Sequence, residues 1–200
     1  MLRNRIQDPF EPINRIDREL GERGRRLFIG IELQPNFRDI NAALTVVEGK
    51  GKYMRVVGVS SVQSQLDEPT QLAVQEFVAD SQPSLMDWRA IEHDIAISMA
   101  TLAKELKIQA GKYVDRLMAI GVYDPGVRIN DSELSTSAIP LCDSNLLAEL
   151  TGITVVDAFA ERDLNSGGTA EGLFALPAWL LFSDRNSPIA EHDRLSLIHI

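Results

Sequence analysis

The sequence predicts an α/β domain whose mixed sheet opens as an antiparallel three-strand meander with helices packed on it. Three observations predict this. Three apolar runs of strand-like composition follow one another early in the chain, joined by short turns. A long stripe of apolar residues at helical spacing comes next. Beyond it, short extended runs alternate with helical ones.

Taken in order, the first run covers 27–33, bounded by Arg26 and by Gln34-Pro35-Asn36. The second covers 40–48 and is rich in Ala, Val and Leu. Gly49-Lys50-Gly51-Lys52 is a turn signal before the third, 53–62, which carries Val56, Val57, Val59 and Val62. The period then changes. Over 69–79, Leu72, Val74, Phe77 and Val78 fit a helix. Ser84, with Asp87 three residues on, is a start of the capping-box kind. Trp88, Ile91, Ile95, Met99, Leu102 and Leu106 follow at steps of 3, 4, 4, 3 and 4, so the spacing predicts a helix over 85–108. Gly111 closes it. Residues 115–122 read as a buried strand and 136–141 as a short extended piece. Ser144 is the expected N-cap of a helix ending near Leu150, with Gly152 as its left-handed terminator. Residues 153–159 read as a further strand, and 173–182 as a helix interrupted or started near Pro177. The resulting organisation is a polar arm over 1–26, a lobe over 27–182 and a tail over 183–200.

Composition removes several function classes. A chain of 200 residues with 44% hydrophobic content can bury a core without staples. A net charge of −9 argues against nucleic acid, whose phosphates are neutralised by clustered Lys and Arg. The arm sets seven Arg against five acids, and mixed charge of that kind reads as a solvated face that docks or frays. Cys142 stands alone, so no intramolecular disulfide forms, which fits a reducing compartment. No apolar run reaches the ~20 residues of a membrane span, and the N-terminus lacks the apolar stretch of a secretory signal. The expectation is a cytoplasmic protein with no membrane or nucleic-acid partner. Glu92, His93 and Asp94 are consecutive and fan around a helix, so they do not converge on a metal. His93 reads as a surface histidine and Cys142 as a packing residue.

The stretch 149–168, ELTGITVVDAFAERDLNSGG, ends a helix in Thr151-Gly152-Ile153 and continues through Val155-Val156, Phe159, Arg162-Asp163 and Gly167-Gly168. In order and spacing it resembles the anhydro-N-acetylmuramic acid kinases. Asp143 fits the turn before that helix, with Cys142 where the family has Gly. Ile29-Gly30 and Ala42-Ala43-Leu44 fit the family's first hairpin, and Leu181-Phe182 the end of its next helix. The resemblance spans 27–182 and is densest over 143–168.

The resemblance implies an actin/hexokinase-like sugar kinase. Two lobes with RNase H-like sheets close over ATP and Mg2+, and this chain would be the N-terminal lobe. It implies hydrolysis of a 1,6-anhydro bond and phosphorylation of the sugar at its 6-oxygen, in peptidoglycan recycling. By this resemblance Asp163 is the catalytic base, and Arg162, Gly167 and Gly168 bind substrate. Gly30 and Asp143 lie on the cofactor side, and no residue is assigned to a metal. The expected partners are a small-molecule amino sugar and a second copy in a homodimer. The chemistry agrees, since phosphoryl transfer needs clamped phosphates and a carboxylate that positions the nucleophile. A carboxylate in the loop after a strand faces the ligand crevice of an open sheet, and paired glycines let backbone approach a ligand. Without the resemblance, Asp163 reads as a loop carboxylate that caps the following turn.

The chain departs from the family where phosphates would be held. The family's phosphate loop reads Met-Ser-Gly-Thr-Ser-Leu-Asp-Gly. Here the same slots hold Glu32, Leu33, Gln34, Pro35, Asn36, Phe37, Arg38 and Asp39, and the downstream Asp slot is Asn41. Both glycines are gone, Pro35 removes an N–H donor, and Glu32 adds negative charge. A second family motif, Ser-His-Gly-Gln-Thr, is replaced by Val122-Tyr123-Asp124-Pro125-Gly126, in which Asp124-Pro125-Gly126 is a good β-turn sequence. The family's Gly-Ala-Pro after Gly168 is replaced by Ala170-Glu171-Gly172.

Three readings remain: a sugar kinase, an inactive paralogue that binds or scaffolds, and an unrelated α/β enzyme carrying the Thr-Gly-Ile-Thr-Val-Val stretch. The altered loop favours the second over the first for activity, and the spacing of the matches argues against the third. Residues 195–200, Leu-Ser-Leu-Ile-His-Ile, match one reading frame of a transposase mosaic-end sequencing adapter. They are expected to be a scar, with natural coding sequence continuing into a second lobe.

Overall fold

The computed structural model describes residues 25–49, 54–79, 84–132 and 135–168. The arm over 1–24, the helix expected at 173–182 and the tail over 183–200 lie outside them.

Strands β1 (Arg26–Leu33), β2 (Asp39–Glu48) and β3 (Arg55–Gln65) form the expected meander. Side-chain alternation fixes its register. Leu27, Ile29, Ile31 and Leu33 are buried, as are Ile40, Ala42, Leu44 and Val46, and pairs such as Ile29↔Leu44 and Ile31↔Ala42 hold both sets on one face. A one-residue slip would turn all of them to water. β4 (Leu117–Tyr123) joins β1 in parallel, and β7 (Val155–Val156) joins β4 in parallel. The sheet order is therefore β3-β2-β1-β4-β7, three antiparallel strands continued by two parallel ones. This is the mixed α/β sheet of a sugar-kinase-like lobe. A separate hairpin, β5 (Val127–Ser132) with β6 (Ser135–Ile139), is inserted after β4.

The helices α1 (Glu68–Ala79), α2 (Leu85–Ala110), α3 (Ser144–Thr151) and α4 (Phe159–Asn165) complete the described part. At about 1.5 Å per residue, α2 is long enough to cross the sheet. It buries the predicted stripe of Ile91, Ile95, Met99, Leu102 and Leu106, and Ala96, Ala100 and Ala103 beside it allow close approach. Each large side chain removed from water contributes about 1.5–3 kcal/mol. Polar bonds fix the orientation of α2. Ser60 Oγ on β3 donates to Gln109 Oε1 at 2.6 Å, and the Trp88 indole N–H donates to Pro140 O at 2.8 Å. Lys107 Nζ donates to Thr151 O at 2.9 Å, satisfying a carbonyl at the end of α3.

Several local expectations change. α1 buries Thr70, Val74 and Phe77, while Leu72 and Val78 are exposed, so its buried stripe is narrower than the apolar residues suggested. Ser84 caps α2 through a single bond from Met86 N, without a reciprocal bond from Asp87. The third strand runs on to Gln65, and the fourth begins at Leu117 because 111–116 forms a 3₁₀ turn after Gly111, at φ +53°. The N-cap of α3 is Asp143, not Ser144. Its Oδ1 accepts from Asn145 N and Leu146 N, both at 3.0 Å, and a carboxylate at a helix start also gains from the helix dipole. The strand expected over 153–159 shrinks to Val155–Val156. Ala158 turns the chain left-handed at φ +59°, and Phe159 opens α4. The first strand of the inserted hairpin, VRINDS, is too polar to show in an apolar pattern. Arg25, placed in the polar arm, is buried and pairs with Glu48 at 3.4 Å.

Candidate functional site

The carboxyl ends of the parallel strands β1, β4 and β7 lie along one edge of the sheet, through the registers Glu32↔Tyr123 and Gly121↔Val156. Ligands of open α/β sheets bind outside such an edge. Two features occupy it, the β1–β2 turn and a cleft beyond β4 and β7; α4 starts at that cleft with Ala158 and Glu161 and leads to a third feature, the turn at its C-terminal end.

The β1–β2 turn is closed by its own groups. Gln34 N donates to Asp39 O at 2.9 Å and Phe37 N to Gln34 O at 2.8 Å. Asn36 Oδ1 accepts from Arg38 N at 3.0 Å and Asp39 N at 3.2 Å, while Asn36 Nδ2 donates to Asp39 Oδ2 at 2.7 Å. Pro35 has no N–H, and Phe37 sits left-handed at φ +51°. Gln65 Nε2 donates to Asp39 Oδ1 at 2.9 Å, and Gln65 Oε1 accepts from Arg38. These bonds, first that of Asn36 and then that of Gln65, hold the Asp39 carboxyl below its ordinary value. A phosphate cradle needs several backbone N–H groups pointing outward together. In this turn four of them are spent internally and one is missing, so ATP phosphates and their Mg2+ do not fit it.

The cleft beyond β4 and β7 encloses about 310 Å³ and is acidic, with Glu92, Asp124, Asp143, Asp157 and Glu161 around Arg89. Asp124 accepts from Gly126 N at 2.8 Å and Leu141 N at 2.6 Å, so it stitches the base of the β5–β6 hairpin to the end of β4. Burial raises its carboxyl, against the lowering effect of those N–H groups. Burial likewise raises Glu92, more than its 2.9 Å pair with Arg89 lowers it. Arg89 also lies 3.7 Å from Asp143. Burial first, then the surrounding carboxylates, push the Cys142 thiol far above its ordinary range, so it is no nucleophile at neutral pH.

The third feature holds most of the residues the sequence singled out. Asp163 lies in the last turn of α4 rather than in a loop. Its carbonyl accepts from Ser166 N at 3.0 Å and Gly168 N at 2.8 Å. Gly167 is left-handed at φ +84°, where a side chain would be strained. A Cβ on Gly168 would overlap the Asp163 carboxylate. Gly167 is therefore required by its backbone conformation, and the missing side chain at Gly168 leaves room for the half-buried Asp163 carboxylate. Arg162 is exposed beside it; its carbonyl accepts from Ser166 Oγ at 2.8 Å, while its guanidinium makes no hydrogen bond or ion pair among the described residues.

The structure thus brings Arg162, Asp163, Gly167 and Gly168 into one turn. Asp143 lies in the acidic cleft, with its carboxylate committed to the cap of α3. Gly30 is in the middle of β1, between Ala43 and Gly121 and away from the turn. Sequence reasoning missed Arg89, Glu92, Asp157 and Glu161. Asp157 carried a usable signal, because it directly follows the C-terminal end of a parallel strand. The pair on α2 carried none, since only the fold brings it to 140–143, through Asp143 N to Glu92 O at 3.2 Å. Among the described residues, no three His, Cys, Asp or Glu side chains are grouped to hold a metal. Among them, too, no helix is long and apolar enough to cross a membrane.

No curated protein matches the chain. A family model does, over residues 33–191, and it is described as anhydro-N-acetylmuramic acid kinase. That stretch takes in most of the sheet, the cleft and the Arg162–Gly168 turn. The chain belongs to the anhydro-N-acetylmuramic acid kinase family.

Proposed function

We propose that this chain is an amino-sugar-binding member of the family that has given up phosphoryl transfer from ATP. Membership sets a kinase-like role in anhydromuramic acid metabolism as the starting point, and fold alone does not carry activity. The observation that carries the reading is the closed β1–β2 turn, whose N–H groups are spent on Gln34, Asn36 and Asp39. Asp39 adds negative charge where phosphate would be held. The substrate end is kept. Asp163, seated on Gly168, accepts a hydrogen bond from a sugar hydroxyl and orients it, and Arg162 offers a charged donor to the ring substituents.

Calorimetry of the 200-residue chain with 1,6-anhydro-N-acetylmuramic acid and, separately, with Mg·ATP tests this. The sugar is expected to bind and the nucleotide not to. Phosphorus NMR of a mixture of all three is expected to show no new phosphate ester. A sugar 6-phosphate would establish the second reading, an active kinase. That reading is favoured by one feature, the intact seating of Asp163 on Gly168.

A further inference from the structure

Beside the closed turn, on the face of the sheet away from the helices, lies a second cleft of about 400 Å³. It falls in the range of small-molecule clefts, roughly 300–1,000 Å³. Its lining is unusual, because it is almost entirely carboxamide. Gln34, Asn36, Asn41, Gln63 and Gln65 surround the one carboxylate, Asp39. Register explains the grouping. Asn41 pairs with Gln63 and Asp39 with Gln65 across β2 and β3, so all four side chains leave the sheet on one face. Gln34 arrives from the end of β1.

These groups divide into two sets. Asn36 and Gln65 are committed, for they hold Asp39 from both sides. Gln34, Asn41 and Gln63 make no side-chain hydrogen bond among the described residues. Each free carboxamide offers a carbonyl acceptor and two N–H donors side by side. That pattern matches a hydroxyl group, which donates and accepts at once. The Asp39 oxygens, each holding one bond already, keep lone pairs for a hydroxyl donor. The nearby cation, Arg38, is engaged with Gln65 Oε1 outside the lining, and the one formal charge in the lining is Asp39, so the cleft favours an uncharged ligand over an anion. A single carboxylate with both oxygens engaged is no cation site.

We propose that this cleft binds an uncharged, hydroxyl-rich ligand, a neutral saccharide, at the position where the family holds nucleotide phosphate. The inference rests on the closed turn proposed above, which supplies the pre-set Asp39. It adds a second sugar-binding point to the Arg162–Gly168 turn, so that the chain takes up saccharide at two places.

Side-chain carboxamide signals in nitrogen–proton NMR spectra of the 200-residue chain test this directly. N-acetylglucosamine is titrated as the neutral probe, and inorganic phosphate and Mg·ATP are titrated separately. The NH₂ signals of Gln34, Asn41 and Gln63 are expected to move saturably with the saccharide alone. Asn41→Ala and Gln63→Ala are each expected to weaken that binding about fivefold, with the backbone signals of 34–39 unmoved. Gln63 is exposed, so its variant folds even where Asn41→Ala does not. Carboxamide signals unmoved by the saccharide overturn the inference while leaving the closed turn standing. Phosphate moving those same signals also overturns it. Mg·ATP moving the backbone signals of the turn overturns the earlier proposal with it.

Discussion

The β1–β2 turn and the turn that ends α4 are built in opposite ways. In the turn, side chains replace glycines and fold inward, and Asn36 alone satisfies two backbone N–H groups and ties down Asp39. At α4, Gly167 and Gly168 remain and leave Asp163 resting on bare backbone. Both turns satisfy their own backbone N–H groups, so the difference lies in the side chains: the carboxylate of Asp39 is tied down by Asn36 and Gln65, whereas that of Asp163 lies against Gly168. Each turn is built from local hydrogen bonds, so one can change while the other keeps its residues.

The sharpest way to break this comparison is Asp163→Asn. If α4 is a retained sugar point without transfer, the variant weakens sugar binding about tenfold, as expected for a lost charge-assisted bond, and changes stability by under about 1 kcal/mol. If the chain transfers phosphate after all, turnover falls roughly 10²–10⁴-fold instead. Titration calorimetry and a phosphorylation assay separate the two. Gly168→Ala comes next. Its methyl takes the place of the Asp163 carboxylate, which must turn away, so it should weaken sugar binding while urea unfolding changes by under about 1 kcal/mol. Unchanged binding would mean that the seating of Asp163 is incidental. Asn36→Ala should cost about 1–2 kcal/mol by handing Arg38 N and Asp39 N back to water. A neutral result would mean that the turn is held by its backbone alone.

The smallest effect is in pH, and its sign differs between the regions. Asp39 is held below its ordinary value, so its contribution is complete above the ordinary carboxylate range and is lost as pH falls through that range toward its folded value. Glu92 and Asp124 are raised by burial, so they weigh against folding at neutral pH. That penalty is relieved as pH falls through their raised folded values toward the ordinary range. Glu92→Gln should therefore flatten the gain in stability on acidifying from neutral pH, and Asp39→Asn should flatten the later loss. Unfolding curves across this pH span check both.

How much of this the sequence disclosed follows from how local each signal is. The meander and α2 were legible because their apolar residues repeat at periods of 2 and 3.6, and burial follows that repeat from Leu27 to Leu106. The Arg162–Gly168 turn was legible through its order of residues. The extent of the strand before it was not, because the chain turns left-handed at Ala158, a residue type that carries no turn signal, while the apolar run continues to Phe159. Asp143 and Ser144 are adjacent capping residues, and only geometry shows which one caps. The replaced phosphate loop could be seen in the sequence as missing glycines. That Asn36 and Gln65 converge on Asp39 needs the pairing of three strands, which no local pattern encodes.

The closed turn is the central claim, and its backbone amides report on it directly. In nitrogen–proton spectra of the 200-residue chain, the amide signals of Gln34, Phe37, Arg38 and Asp39 should stay in place through a full Mg·ATP titration. They should also exchange slowly with solvent deuterium, since each is hydrogen-bonded within the turn. Saturable shifts of those four amides at micromolar nucleotide, corresponding to about −8 kcal/mol of binding, would contradict the account.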